Sequence, residues 1–147
     1  MAKPRSGNTA MRHARAVLEQ GRVYPVIQYA GKRVVRLPAK KKGDPPRIIA
    51  LAEDLLNGCF DALAVGAGHT LAVQVTSQTD DRSSVSHRKR KIEREFLKHY
   101  PPRQPPGVCV QLWAWVNREG FRVWEWEHGT RTWREWPEML RSPELKR

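Results

Sequence analysis

Two stretches of the chain carry apolar residues at the three-to-four-residue spacing of an amphipathic helix. The first predicts a helix over residues 8–20, with Asn8 or Thr9 as its N-cap and Gly21 just after its last turn. The second predicts a strongly basic helix over residues 85–99, which a proline-rich segment ends. The apolar faces consist of Met11, Ala14, Val17 and Leu18 in the first helix and of Val85, Ile92 and Phe96 in the second.

Elsewhere the chain shows short apolar and alternating runs that predict β-strands joined by turns. Residues 23–29 and 32–39 predict one hairpin, whose first strand contains Pro25 and therefore lies at a sheet edge or a bulge. Residues 59–65 and 70–77 flank a glycine-rich turn and predict a second hairpin with a largely buried first strand. A meander of three strands is predicted over residues 108–116, 121–127 and 130–136.

This order of elements predicts an α/β fold with one domain over residues 1–147, in which helices flank a central mixed β-sheet. Residues 1–7 and 138–147 are expected to form flexible basic termini. With 39% apolar residues and six Trp, the composition excludes a disordered chain. No stretch has the length and apolarity of a transmembrane helix, and the first residues lack the apolar centre of a signal peptide. We therefore expect a cytoplasmic protein.

Charge is unevenly distributed around the net value of +12. Residues 1–50 carry a net charge of +10 and residues 81–100 a net charge of +4, whereas residues 51–80 contain no Lys or Arg. That middle segment holds the four carboxylates of Glu53, Asp54, Asp61 and Asp80. Basic groups neutralise nucleic-acid phosphates and carboxylates hold divalent cations, so this layout suits a metal-dependent nuclease. A buried hairpin that simply excludes charge would give the same composition.

The order of elements and several residues within it resemble the PD-(D/E)XK nuclease superfamily, and especially its archaeal-type Holliday junction resolvase branch. In that layout a helix bearing Glu precedes a strand that opens with Asp, a tight turn, a strand carrying (D/E)-x-K, and a basic helix. The resemblance covers roughly residues 8–100 and implies a restriction-endonuclease-like fold. The matching positions here are Glu19, Asp61 and the run Gln74, Val75 and Thr76.

This sequence departs from that pattern at two positions, because Gln74 stands where an acidic residue is usual and Thr76 where the Lys is usual. It looks like a variant associated with small phage and bacterial proteins, in which a helix carries a Lys just before an apolar residue. Lys91 and Ile92 occupy those positions here.

The resemblance implies a catalytic site that binds Mg²⁺ or Mn²⁺ through oxygen ligands. Asp61 would supply the anionic ligand, and the Gln74 amide oxygen and Val75 carbonyl would complete the protein's share of the shell. The antiparallel hairpin brings Asp61 and Gln74 to the same end of the sheet. Glu19 would restore the second carboxylate that Gln74 lacks. Lys91 would orient the attacking water and stabilise negative charge at the phosphate.

Each of these assignments has a structural alternative. Asp61 in an apolar run would serve a structural role if it had buried partners. Gln74 fits a core amide whose hydrogen bonds are satisfied, and Thr76 fits an ordinary β-former. Glu19 can pair with the basic residue four positions earlier in its helix. Lys91 can belong to a solvated helix face.

These observations predict a metal-dependent DNA endonuclease that resolves Holliday junctions or other branched DNA. A homodimer is expected, since two symmetric strands are cut, and an exposed Trp face would suit its interface. The alternatives are a nuclease-like DNA-binding protein without catalysis and, less well matched, an RNA-binding module. The predicted phosphate contacts are Arg12, Arg15, Lys40, Lys41, Lys42, Arg88, Lys89 and Arg90.

Overall fold

A computed structural model describes residues 6–53, 55–77 and 83–145 of the protein. Residues 1–5 and 146–147 of the expected flexible termini, and the carboxylates Asp54 and Asp80, lie outside the described residues. The helices are α1 (Ser6–Glu19), α2 (Leu55–Gly58) and α3 (Ser83–Glu95), with 3₁₀ turns at Gln20–Arg22 and Leu97–His99. The strands are β1 (Val26–Tyr29), β2 (Gly31–Leu37), β3 (Arg47–Glu53), β4 (Ala62–Gly66), β5 (His69–Ser77), β6 (Cys109–Val116), β7 (Gly120–Glu127) and β8 (Thr132–Glu135).

Six of the strands form one mixed sheet in the order β1-β4-β5-β6-β7-β8. All neighbouring pairs in it are antiparallel except β5 and β6, which are parallel and are connected through α3. Apolar residues of α1 pack on one face of the sheet and those of α3 on the other. The structure therefore confirms the predicted α/β fold, a single domain in which helices flank a mixed sheet.

The core follows the two-residue alternation of the central strands. Trp113 and Trp115 of β6 pack on the α1 side, and Trp124 and Trp126 of β7 pack on the α3 side. All four are buried, and Trp113 and Trp115 both contact Phe121 of the neighbouring strand. These four residues therefore do not form the exposed Trp face that would suit a dimer interface.

The predicted pairing of residues 23–29 with 32–39 is wrong. Instead, β1 pairs with β4 at the edge of the main sheet, where Tyr29 lies opposite Ala62. β2 pairs with β3 in a separate two-stranded sheet, which we call the β2–β3 arm (residues 31–53). Ala30 does not form a hairpin turn, because its backbone N–H donates to the carbonyl of Asp61 (2.8 Å) and so continues the β1–β4 ladder.

The remaining predicted elements are present, with one correction at the first helix. The second hairpin, the basic helix and the three-stranded meander all form as expected. Asn8 and Thr9 lie inside α1, which already includes Ser6, so neither residue is the N-cap. No helix in the described ranges has the length and apolarity needed to cross a membrane.

The C-terminal segment, which we expected to be flexible, packs across the domain as far as residue 145. Leu140 exchanges backbone hydrogen bonds with Phe121, and the Ser142 hydroxyl lies 2.7 Å from Nδ1 of His13 in α1. The His13 ring stacks on Trp115 at 4.0 Å between ring centroids. Burial lowers the pKa of His13 below its ordinary value, and the neighbouring Arg12 lowers it further.

Candidate metal and nucleic-acid site

The centre of the candidate site is a hydrogen-bonded group where β4 begins beside the C-terminal part of β5. Oδ2 of Asp61 accepts hydrogen bonds from Nε2 of Gln74 and from the backbone N–H of Val75, both at 2.7 Å. The Gln74 side chain is 3% exposed, and its Nε2 also lies 3.2 Å from the Val75 carbonyl oxygen. The structure thus brings together the three residues that the sequence predicted as metal ligands.

The backbone explains why these groups meet. The N–H of Asp61 donates to the carbonyl of Val73 (2.8 Å), which is the last backbone bond of the β4–β5 ladder at this end. Val75 lies two residues further along β5, where β4 has not yet begun, so its N–H and carbonyl face the Asp61 and Gln74 side chains instead of a strand. A carboxylate, an amide and a main-chain carbonyl therefore converge where β5 extends past the start of β4.

Lys91, on α3, contacts the segment of chain that leads into Asp61. Its carbonyl accepts a long hydrogen bond from the Cys59 thiol (4.0 Å), which holds α3 against the segment that leads into Asp61. Its ammonium Nζ lies beside Gly58, where an added Cβ would be 3.9 Å away. Gly58 has a positive φ of 77° and ends α2, so a residue without a side chain both permits the turn and leaves room for the ammonium. Lys91 is thus positioned against the loop three residues before Asp61.

Glu19 lies at the last residue of α1, and its partner is a tyrosine rather than Arg15. The Tyr29 hydroxyl donates to Oε1 of Glu19 at 2.9 Å, and the Arg15 guanidinium lies over the Tyr29 ring, 4.5 Å from its centroid. Burial and the hydrogen bond to Glu19 raise the pKa of Tyr29. Because Tyr29 lies opposite Ala62 in the β1–β4 ladder, this group is held at the same end of the sheet as Asp61.

Thr76 follows Val75 in β5 and is 7% exposed. Its hydroxyl lies at 3.5 Å from the carbonyl of Ser77, a contact at the limit of a hydrogen bond. The side chains of Gln74 and Thr76 share one face of β5 because they are two residues apart.

The predicted phosphate contacts fall into three places. Lys40, Lys41 and Lys42 are exposed in the turn of the β2–β3 arm. On α1, Arg12 pairs with Glu144 at 3.3 Å and Arg15 covers Tyr29. The α3 group consists of Arg88, which is partly buried, Lys89, which covers a tryptophan, and Arg90, which is exposed.

Lys89 is engaged with the sheet more closely than its neighbours on α3. Its Nζ lies 4.7 Å from the centroid of the Trp124 ring, and Cζ of Arg122 lies 4.8 Å from the same ring. Arg122 also forms an ion pair with Glu135. Burial lowers the pKa of Lys89, and Arg122 adds to that effect.

The donor set at Asp61 suits Mg²⁺ or Mn²⁺. Magnesium in proteins is held by one or two carboxylates together with water and substrate phosphates, and all three groups at this site offer oxygen. Gln74 presents its amide oxygen to a cation if the side chain turns over, which exchanges Nε2 and Oε1. Among the described residues there is no group of three or more His, Cys, Asp or Glu that could hold a metal ion.

A second buried glutamine provides a natural comparison. Nε2 of Gln111 donates to Oε1 of Glu125 at 2.7 Å, and Oε1 of Gln111 accepts from Nε1 of Trp113 at 2.8 Å. Cys109 donates to the same Glu125 oxygen at 3.0 Å. This amide–carboxylate pair matches that of Gln74 and Asp61 in distance and in the burial of the glutamine.

Comparison of the chain with protein-family models, with curated proteins and with solved structures finds no match. The function must therefore be argued from the site itself.

Sequence reasoning missed two residues of this site. Tyr29 falls in a predicted strand, but its contact with Glu19 joins a helix to an edge strand, and no local spacing predicts such a contact. Gly58 follows Asn57, and such a pair is a turn signal that could have located the α2 turn before Asp61.

Proposed function

We propose that this protein is a divalent-metal-dependent DNA endonuclease that cuts branched DNA, with the four-way Holliday junction as its expected substrate. One observation carries the proposal: Asp61, Gln74 and Val75 converge where β5 extends past the start of β4, with the Lys91 ammonium against the loop that precedes Asp61. The net charge of +12, concentrated on both sides of an acidic centre, supports a polyanionic substrate. The order of helix, antiparallel hairpin, basic helix and parallel strand agrees with the PD-(D/E)XK resemblance.

Each group in the site has a distinct task in phosphodiester hydrolysis. Asp61, the Gln74 amide oxygen and the Val75 carbonyl would hold Mg²⁺ or Mn²⁺, which polarises the phosphate and lowers the pKa of a bound water. Lys91 places a positive charge where the phosphate gains negative charge. Glu19, fixed by Tyr29, supplies a carboxylate at the same sheet end. Basic residues around the site bind neighbouring phosphates without reading bases.

The test compares cleavage of a labelled four-way junction, a linear duplex of the same sequence and a splayed arm. Each is incubated with Mg²⁺, Mn²⁺ or EDTA at one salt concentration, because phosphate-driven affinity depends strongly on salt. We expect paired nicks in the junction alone and only with metal. Asp61→Ala removes the cleavage, whereas the control Glu138→Ala, which changes an exposed carboxylate, retains it.

A second candidate function is a DNA-binding protein with this fold that does not cleave. It is favoured by the direction of the Gln74 amide, whose Nε2 rather than its oxygen faces Asp61 and Val75. In that case the amide replaces the metal and joins the two strands by hydrogen bonds. Tight junction binding without nicks under any of the three conditions would decide for this candidate.

The endonuclease proposal includes a homodimer, because a junction presents two equivalent strands and a twofold dimer places two sites in the matching relation. Light scattering on the protein alone and on its junction complex tests this part. A complex containing a single chain per junction would contradict it without affecting the proposal of catalysis.

A further inference from the structure

The β2–β3 arm leaves the main sheet directly beside the candidate site. At one end of the arm, the N–H of Ala30 donates to the Asp61 carbonyl at 2.8 Å. At the other end, Leu55 and Phe60 exchange backbone hydrogen bonds of 2.9 and 3.1 Å. Both ends of the arm are therefore attached to the two residues Phe60 and Asp61. Whatever the arm binds is held in a fixed relation to the carboxylate of Asp61.

The composition of the arm indicates a polyanionic partner. By sequence, residues 31–53 carry seven Lys or Arg against two Asp or Glu. Its turn exposes Lys40, Lys41 and Lys42, together with Arg47 at the start of β3. The two strands hydrogen-bond to one another in a sheet of their own. An isolated two-stranded ribbon is marginally stable in water, so a partner that neutralises the charge would also stabilise the arm.

The dimensions of the arm match duplex DNA. Seven residue pairs, from Gly31 and Glu53 to Leu37 and Arg47, form the ribbon. At about 3.3 Å per residue, they place the lysine turn about 20 Å or more from the arm's attachment. A two-stranded β-ribbon fits the major groove of B-DNA, which is about 12 Å wide. With a phosphate every 3.4 Å or so on each strand, about 20 Å corresponds to roughly six base pairs.

We propose that the β2–β3 arm lies in the major groove of duplex DNA next to the cleaved phosphate, with Lys40, Lys41 and Lys42 contacting phosphates about six base pairs from it. This rests on the proposed function and specifies its substrate further. The substrate must carry B-form duplex on the arm side of the cut, and a shorter flank loses the lysine contacts.

The first experiment measures phosphate contacts through the salt dependence of binding. The variant K40A/K41A/K42A is compared with the control R22A/K98A/R103A, which removes three exposed positive charges outside the arm. Binding to a fluorescein-labelled 20-base-pair duplex in EDTA is followed by anisotropy between 50 and 200 mM salt. Each lost contact lowers the slope of log K against log salt by about 0.9, so we expect a decrease of about 2 to 3 for the arm variant and none for the control.

An unchanged slope in the arm variant would overturn the proposal, and so would an equal decrease in the control. Since all six substituted residues are exposed, circular dichroism is expected to show normal folding for both variants.

A second experiment tests whether the arm lies in the major groove and how far along the duplex it extends. Duplex RNA has a deep, narrow major groove that does not admit a ribbon, so the lysine substitutions should weaken DNA binding much more than binding to RNA of the same length. Equal losses on the two duplexes would overturn groove binding. For junctions with one arm shortened to 3, 6, 9 or 12 base pairs, the difference between wild type and variant should appear at about six base pairs. A full difference between wild type and variant with an arm of only three base pairs would contradict the proposed distance of about six base pairs.

The binding measurements are made in EDTA, so they do not depend on catalysis. If the arm variant shows the smaller salt slope and no substrate is ever cleaved, the arm's contact with duplex DNA stands and the endonuclease proposal fails. If metal-dependent cleavage occurs and the lysine substitutions leave the salt slope unchanged, the arm proposal fails and the endonuclease proposal stands.

Discussion

Gln74→Glu is the most informative single change, because it turns the amide that donates to Asp61 into a second carboxylate. The hydrogen bond from Nε2 to Oδ2 (2.7 Å) is lost, and bonds to charged groups contribute about 1.5 to 3 kcal/mol. Two ionised carboxylates in its place would repel by up to about 4 kcal/mol at an effective dielectric constant near 20. Proton uptake by the pair limits that repulsion, so we expect a loss of about 3 kcal/mol in EDTA at pH 8.

The loss of folding stability in Gln74→Glu should depend on pH and on the presence of a divalent cation. Repulsion raises the pKa of the new carboxyl in the folded state above its unfolded value of about 4.3. The deficit is therefore small near pH 4 and grows as the pH rises through the raised pKa. At an Mg²⁺ concentration of about one hundred times the dissociation constant, binding to the folded state should raise the free energy of unfolding by about 2.7 kcal/mol.

Thermal unfolding followed by circular dichroism measures both effects. At roughly 2 to 4 °C per kcal/mol for a chain of this size, the Tm should fall by about 6 to 12 °C in EDTA and recover most of that in Mg²⁺. Gln111→Glu is the matched control, since it places a carboxylate against Glu125 at the same 2.7 Å distance. It should lose stability without recovery. An equal deficit of Gln74→Glu with and without metal would refute the assignment of a cation to this position, and so would recovery of the control.

Four further predictions concern single residues. Asp61→Ala should abolish cleavage and keep or raise junction affinity. Its Tm should fall because Nε2 of Gln74 and the N–H of Val75 lose the carboxylate that accepts their hydrogen bonds, at a cost of about 1 to 3 kcal/mol each. Lys91→Ala should lower the single-turnover cleavage rate far more than junction affinity, whereas Lys98→Ala, at an exposed position on the 3₁₀ turn after α3, should change neither. The stabilising effect of neutral His13, measured as the Tm difference between wild type and His13→Gln, should be present above its ordinary pKa of about 6.5 and decline as the pH falls through the lower folded-state pKa, because burial lowers that pKa. Burial and the bond to Glu125 raise the pKa of the Cys109 thiol to about 12, so a thiol reagent at pH 8 should label it about a thousandfold more slowly in the native protein than in urea.

Other outcomes would contradict these four assignments. Residual cleavage by Asp61→Ala would remove it from the metal site, and equal losses of rate and affinity would make Lys91 a phosphate contact. A Tm difference for His13→Gln that stays constant with pH would show that His13 does not titrate with folding. Rapid native labelling would show that the Cys109 thiol is accessible and ionised.

The sequence predicted the parts of the fold in which neighbouring segments pair. Gly68 has a positive φ of 79° in the turn between β4 and β5, and the apolar runs on either side leave no competing partner, so that hairpin was predictable. The pairing of β1 was not, because Tyr29 and Ala62 are far apart in sequence and the β-rich run after Ala30 offered a nearer partner. The turn that closes the arm, residues 38–46, contains Gly43 and three prolines, which predict a loop but do not specify which strands it joins.

The contacts of the candidate site also divide into those that strand pairing predicts and those that it does not. Asp61 and Gln74 belong to one hairpin, so their contact followed from strand pairing alone. The Lys91 ammonium reaches Gly58 through the packing of a helix onto a loop, and the bond between Tyr29 and Glu19 crosses from α1 to β1. Contacts of that kind depend on where whole elements pack, which spacing along the chain does not specify.

The parallel pairing of β5 and β6 also has a consequence for how the molecule folds. The β4–β5 hairpin and the β6–β7–β8 meander each pair strands that are close in sequence, whereas the β5–β6 ladder must close a loop that includes α3. Because long-range pairing is slow compared with local pairing, we expect the two local units to form first and to dock along β5 and β6. Substitutions in that ladder, such as Val110→Ala, should slow folding more than equally destabilising changes in β8. Asp61 and Gln74 would then meet early in folding, and the charge of Lys91 would join them only when α3 closes the crossover.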